Sequence, residues 1–147
     1  ICAFASSILP HFPVMEMCLC AECTNRRDAY TLPKGVFLVR EQDVQKFVDV
    51  YNPLSLIWDK KVNVKFQTKS VLNWGESKGL QADATLIYMT KTLLDLYNPA
   101  IRSKKKVSQE TLRKFYVAVT RAKYVVGLIV PNNFDNSILS LSFWNEI

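Results

Sequence analysis

Twice in this chain an amphipathic helical stretch leads into an apolar, β-branched run, and that alternation restricts the fold more than any other feature. Val44, Phe47, Val48 and Tyr51 fall at i, i+3, i+4 and i+7, and Leu54 to Trp58 follows as a strand. Leu112, Phe115, Tyr116 and Val119 repeat the spacing ahead of Tyr124 to Val130, a near-continuous β run ending at Pro131. Gly35 to Val39 and Ala84 to Tyr88 read as further strands, Val64 to Trp74 contains another, and Asp59 to Lys61 reads as a turn. Punctuation supports these boundaries. Glu41 and Asp43 sit where a helix dipole favours anions, Asn52-Pro53 closes the first helix, and Ser108 is placed as the N-cap of the second. Ala3 to Leu9 and Lys91 to Tyr97 have helical character, stopped by Pro10 and by Asn98-Pro99. Strands separated by helices predict an α/β fold with a mostly parallel sheet flanked by helices. Such sheets place ligand loops at the carboxyl ends of their strands.

The chain's 147 residues suffice for one domain, 1–147, with a real core. The stretch 16–33 has no clean period and reads as a loop or insertion. The tail ends with Phe143 and Trp144, expected to dock on the body. A net charge of +6 favours an anionic partner such as nucleic acid or nucleotide. The basic run Arg102 to Lys106 is either a solvated loop or a phosphate contact through Lys104 and Lys105. No apolar run has the length of a membrane span, and nothing at the start reads as a signal peptide. The expected location is cytoplasmic. Because the chain begins at Ile1, it is expected to be a piece of a larger polypeptide.

Cys18, Cys20 and Cys23 cluster, with His11 upstream and Cys2 further off. Three thiols and an imidazole make a tetrahedral zinc set conceivable. The tight C-x-C-x-x-C spacing also suits reduced thiols on a loop, and nothing marks the chain as secreted and disulfide-bonded.

Two short signatures carry chemistry. The first is Trp74-Gly75-Glu76-Ser77-Lys78-Gly79-Leu80-Gln81-Ala82-Asp83; the second is Tyr116-Val117-Ala118-Val119-Thr120-Arg121-Ala122-Lys123. In this order, each beside a strand-like run, they resemble the fifth and sixth motifs of UvrD/Rep-like superfamily 1 helicases. The likeness is specific over 73–83 and 115–123 and covers about two-thirds of the chain. It implies the C-terminal (second) RecA-like motor domain, in which ATP with Mg²⁺ lies between two lobes. The resemblance makes Arg121 the catalytic arginine that reaches the γ-phosphate. A guanidinium stays charged and forks its donors, which suits charge developing on a transferring phosphoryl group. On the helical wheel Arg121 lies opposite the apolar stripe, free to reach outside the domain.

In the other motif the resemblance assigns nucleotide contacts to Lys78, Gly79 and Gln81. The family has a glutamate for the ribose where Gln81 stands, and an amide still accepts that bond without charge. Lys78 is either a phosphate partner or solvent-facing. Where many relatives carry Thr-x-His, this chain has Asn73-Trp74-Gly75. Trp74 is either a base-stacking platform beside Asn73 or part of the core.

The sequence contains no G-x-x-x-x-G-K-[ST] phosphate loop and no obvious strand ending in paired acids for Mg²⁺. The resemblance therefore implies half of an ATP-dependent DNA helicase, inactive alone. Its partners would be an N-terminal RecA-like domain of the same polypeptide and single-stranded nucleic acid, DNA in the first place, with no membrane. The competing expectation is a non-catalytic nucleic-acid-binding module whose insertion is stapled by zinc on Cys18, Cys20, Cys23 and His11.

Overall fold

The computed structural model describes residues 1–13, 16–58, 71–74, 77, 79–99 and 107–146. Asp59 to Lys61, Gly75, Glu76, Lys78 and the basic run with Lys104 and Lys105 lie outside the described residues. Among the described residues five strands form one sheet: β1 (Gly35–Arg40), β2 (Leu54–Ile57), β3 (Val71–Asn73), β4 (Ala82–Tyr88) and β5 (Ala122–Val130). Their order is β1-β5-β4-β2-β3, and every pairing is parallel. Among the described residues the α-helices are α1 (Cys2–Ile8), α2 (Ala21–Ala29), α3 (Val44–Tyr51), α4 (Lys91–Leu96) and α5 (Gln109–Val119). This is the expected α/β architecture, an all-parallel sheet flanked by helices and compatible with a RecA-like layered fold. No helix among the described residues is long and apolar enough to cross a membrane.

The strands read as unbroken apolar runs because both faces of the sheet are covered. In β1, Leu38 points to one core and Phe37 and Val39 to the other; in β4, Ile87 faces the first and Ala84 and Leu86 the second. The first core holds α1, α5, Trp74 and Leu93, and the second is covered by α3. All four residues of the α3 stripe, Val44, Phe47, Val48 and Tyr51, are buried. The helix comes so close that a Cβ at Gly127 would stand 2.9 Å from the Phe47 ring and 3.0 Å from Val39. Only a residue without a side chain allows that approach.

Helix ends follow the local chemistry. Ser108 Oγ accepts from the Thr111 amide at 3.2 Å and caps α5. Asn52 closes α3 in the left-handed region (φ 46°). Phe143 is buried and bridges to Leu38, and Trp144 packs edge-on against Phe47 and Tyr51, so the tail docks as expected.

The expected loop or insertion differs in one respect. The stretch 16–33 is not all loop: it contains α2. The helix buries no side chain, so it leaves no apolar period to read. Its start is capped by Cys20 Sγ, which accepts from the Cys23 amide at 3.4 Å, and Arg26 pairs with Glu22 one turn back.

Candidate functional site

The two signatures meet. Helix α5 delivers Thr120 and Arg121 to the amino end of β5, and the segment after β3 delivers Gly79 to Gln81 to the amino end of β4. There the Ala82 amide donates to Arg121 O at 2.9 Å, and the Arg121 guanidinium donates to Leu80 O at 3.3 Å. Residues 41 positions apart thus share one edge of the sheet. That edge is the amino end of β4 and β5, not the carboxyl end expected from the strands. The reason is geometric: each signature is the tail of a crossover, which in a parallel sheet must return the chain to the start of the next strand.

Arg121 is half-exposed and not free of its own domain. Its Nε–H donates to Val117 O (3.0 Å) and Nη2 to Thr120 Oγ1 (3.2 Å), besides the bond to Leu80. The wheel missed this because the residue follows the helix end. There the last carbonyls lack helical partners and the dipole favours a cation. Among the described residues three of its five N–H groups are taken. The side chain is held in place with part of its fork still available.

Gly79 is exposed with φ +85°, and a Cβ there would meet nothing within 4 Å. The substitution G79A should therefore cost about 1–2 kcal/mol through backbone strain alone, and G79N less, since Asn tolerates this region. Denaturant unfolding checks both; an unchanged midpoint in G79A would contradict the positive φ.

Gln81 is exposed and lines a cleft of about 680 Å³. Its walls include Ile1 to Ala3, Cys18, Cys23, Gly35, Ala122 and Tyr124. Four cations also line it: Arg26, Arg27, Lys34 and Lys123. Sequence reasoning did not assign these as site residues; the net positive charge was the available signal. Arg27 donates to Cys18 O (2.8 Å) and Lys34 to Arg27 O (2.7 Å) and Tyr30 O (3.0 Å). The β4–β5 register shifts between Ala82 and Ala84, so one extra β5 residue sits at Lys123–Tyr124. Such bulges re-aim side chains beside functional clefts.

Trp74 does not belong to this site. It is fully buried, stacks on Phe115 (5.7 Å, 27°) and meets Trp58 edge-on. Base stacking by Trp74 is therefore excluded in this fold, because both sides of its ring lie within the core. Asn73 is half-buried and ends β3 opposite Ile57.

The thiols come together as well. The Sγ atoms of Cys18, Cys20 and Cys23 lie within 4.8 Å of one another. His11 is exposed and is not part of this group, so the four-ligand set expected from the sequence is not assembled. The Cys23 backbone N–H, and then its thiol and that of Cys18, donate to Cys20 and hold it at about 7. As donor to Cys20, Cys23 is pushed up to about 11. In metal-free protein, alkylation by iodoacetamide should strike Cys20 before Cys23. Its rate should rise as pH passes through about 7, because only the thiolate attacks. Mass spectrometry reads the order; Cys23 reacting first would contradict the hydrogen-bond direction.

The fold and the joined signatures define a class: a parallel α/β domain with a basic cleft at the amino edge of its sheet. In comparisons with models of known families and with curated proteins, nothing matches this chain.

Proposed function

We propose that this chain is the second RecA-like motor domain of a UvrD/Rep-like, ATP-dependent DNA helicase of the cytoplasm. One observation carries the reading. The Arg121 guanidinium bonds to Leu80 O, which joins the two resembling signatures at a single edge. ATP would lie between this edge and an N-terminal RecA-like domain of the same polypeptide. Arg121 would stabilise the γ-phosphate and Gln81 the ribose, while Gly79 shapes the turn between them. Lys78 remains a phosphate partner in this reading. The cleft's cations and its volume suit a nucleotide-sized anion. Its wall carries no carboxylate among the described residues, so it does not fit Mg²⁺. The metal would belong to the other domain.

In such a motor, ATP bridges both lobes and favours their closed arrangement; release after hydrolysis reopens them. Repeated closure would move the pair along single-stranded DNA. The test is R121A in the polypeptide that carries both domains. Nucleic-acid-stimulated ATP hydrolysis should be lost with ATP binding largely kept, and unchanged turnover would sink the reading.

A second reading draws on the gathered thiols: a non-catalytic nucleic-acid-binding module with a metal-stapled insertion. A two-domain protein that binds single strands but hydrolyses no ATP would favour it.

A further inference from the structure

Three sulfurs converge at the cleft, in residues to which the motor reading gives no role. Cys20 is the N-cap of α2 and Cys23 lies one turn into it, on the same side. Cys18 approaches from the preceding segment, positioned by the Arg27 hydrogen bond to its carbonyl. Cys18 and Cys20 are exposed and Cys23 is half-buried. Cys18 and Cys23 form part of the cleft wall.

A second observation asks for a ligand here. Helix α2 has 9 residues and buries none of its side chains. A helix that short is marginal in water without tertiary support. Among the described residues its attachments are Arg27 to Cys18 O, Lys34 to Arg27 O and Tyr30 O, and a single aromatic contact at its C-terminal end, where the C-cap Tyr30 stacks on Tyr124. A metal would anchor the amino end of the helix, which this aromatic contact does not reach.

The geometry points to a binding site for a thiophilic d¹⁰ cation, Zn²⁺ in the first place, held by Cys18, Cys20 and Cys23 with a fourth position open toward the cleft. Zn–S bonds of about 2.3 Å in tetrahedral array set sulfurs ~3.8 Å apart. From an upper limit of 4.8 Å, the site closes by about 1 Å or less through side-chain rotation. Each thiol that ligates gives its proton to solvent, so up to three protons leave per ion bound. Three thiolates on a divalent ion leave one negative charge, and Arg26, Arg27 and Lys34 stand along the same cleft to offset it. The site stands independently of the motor reading.

The experiment titrates the reduced, chelator-stripped protein with Zn²⁺ alone, and with Cd²⁺ to read thiolate-to-metal charge transfer. One equivalent should bind, and Cys18, Cys20 and Cys23 should become protected from alkylation. C20S should weaken binding by at least ~10-fold, the loss already typical of removing a mere outer-shell partner. H11A should bind as the native chain does. Three results would overturn the site. Zinc binding could be no tighter than in the triple serine variant. H11A could lose as much affinity as C20S. A Cys20–Cys23 disulfide could be recovered from untreated protein that then fails to bind zinc on reduction. If C20S does not fold, Cd²⁺ absorption and thiol protection in the native chain decide the matter.

Discussion

If the chain is the motor domain proposed above, R121A in the polypeptide that carries both domains is expected to lower nucleic-acid-stimulated ATP turnover by on the order of 10³–10⁵ while ATP binding changes far less. The split follows from where the proposed reading puts the guanidinium. Charge develops on the γ-phosphoryl oxygens at the transition state, and a fixed cation there stabilises that state more than the bound ground state. The structure supplies the fixing. Val117 O, Thr120 Oγ1 and Leu80 O hold the side chain at the sheet edge, so little reorganisation is needed when a partner lobe closes. R121K is expected to fail almost as badly. Lysine keeps the charge but has no fork, so it cannot bridge Val117 O, Leu80 O and a phosphate together. Turnover by single-cycle kinetics and affinity by a fluorescent nucleotide separate the two effects. A rise in KM at constant kcat would mean that Arg121 binds the ground state only. A control for folding is needed, because removing the bond to Leu80 loosens the turn as well.

W74A is expected to destabilise the domain by about 3–5 kcal/mol, the usual cost of deleting a buried aromatic. For a chain of this size that lowers the melting temperature by roughly 10–15 °C. Trp74 is fully buried between Phe115 of α5 and the edge of Trp58. Its carbonyl accepts from Ser77 Oγ at 2.7 Å, and the Ser77 amide donates to Asn73 O at 3.2 Å. Cavity and lost anchorage therefore fall on the segment leading to Gly79 and Gln81. W74F should cost much less. It keeps most of the ring contacts and removes an indole N–H that has no hydrogen-bond partner among the described residues. Thermal melts of the isolated chain decide this. A melting temperature unchanged in W74A, with weaker single-strand binding, would restore the base-stacking role that the burial excludes.

These two residues mark how far the sequence could be read. Both stand in signatures that resemble helicase motifs, yet one lies at the site and the other inside the core. The pattern around Arg121 singled it out, but its bonds to Val117 O and Leu80 O could not be read. Trp74 was ambiguous because a ring flanked by Asn73 and Gly75 serves equally as platform or filler. Only the arrival of Phe115 and Trp58 on its faces decides between them. Helix α2 escaped detection for the opposite reason: no apolar stripe records a helix that buries nothing. The cleft cations were hidden because Arg26, Lys34 and Lys123 come from three separate segments.

By itself the sequence determined the elements that bury an apolar face, and which face that is. Apolar spacing is a local record of burial, so the stripes of α3 and α5 and the runs of β1, β4 and β5 could be read without neighbours. The tertiary structure alone decided that β5 inserts between β1 and β4. That order brings Arg121 to Leu80 at the amino edge of the sheet, and it sets Gln81 beside Lys123 in one cleft. The physical reason is range. Periodicity depends on residues within two turns of each other, whereas strand order and site assembly depend on pairings tens of residues apart. No local pattern records those pairings.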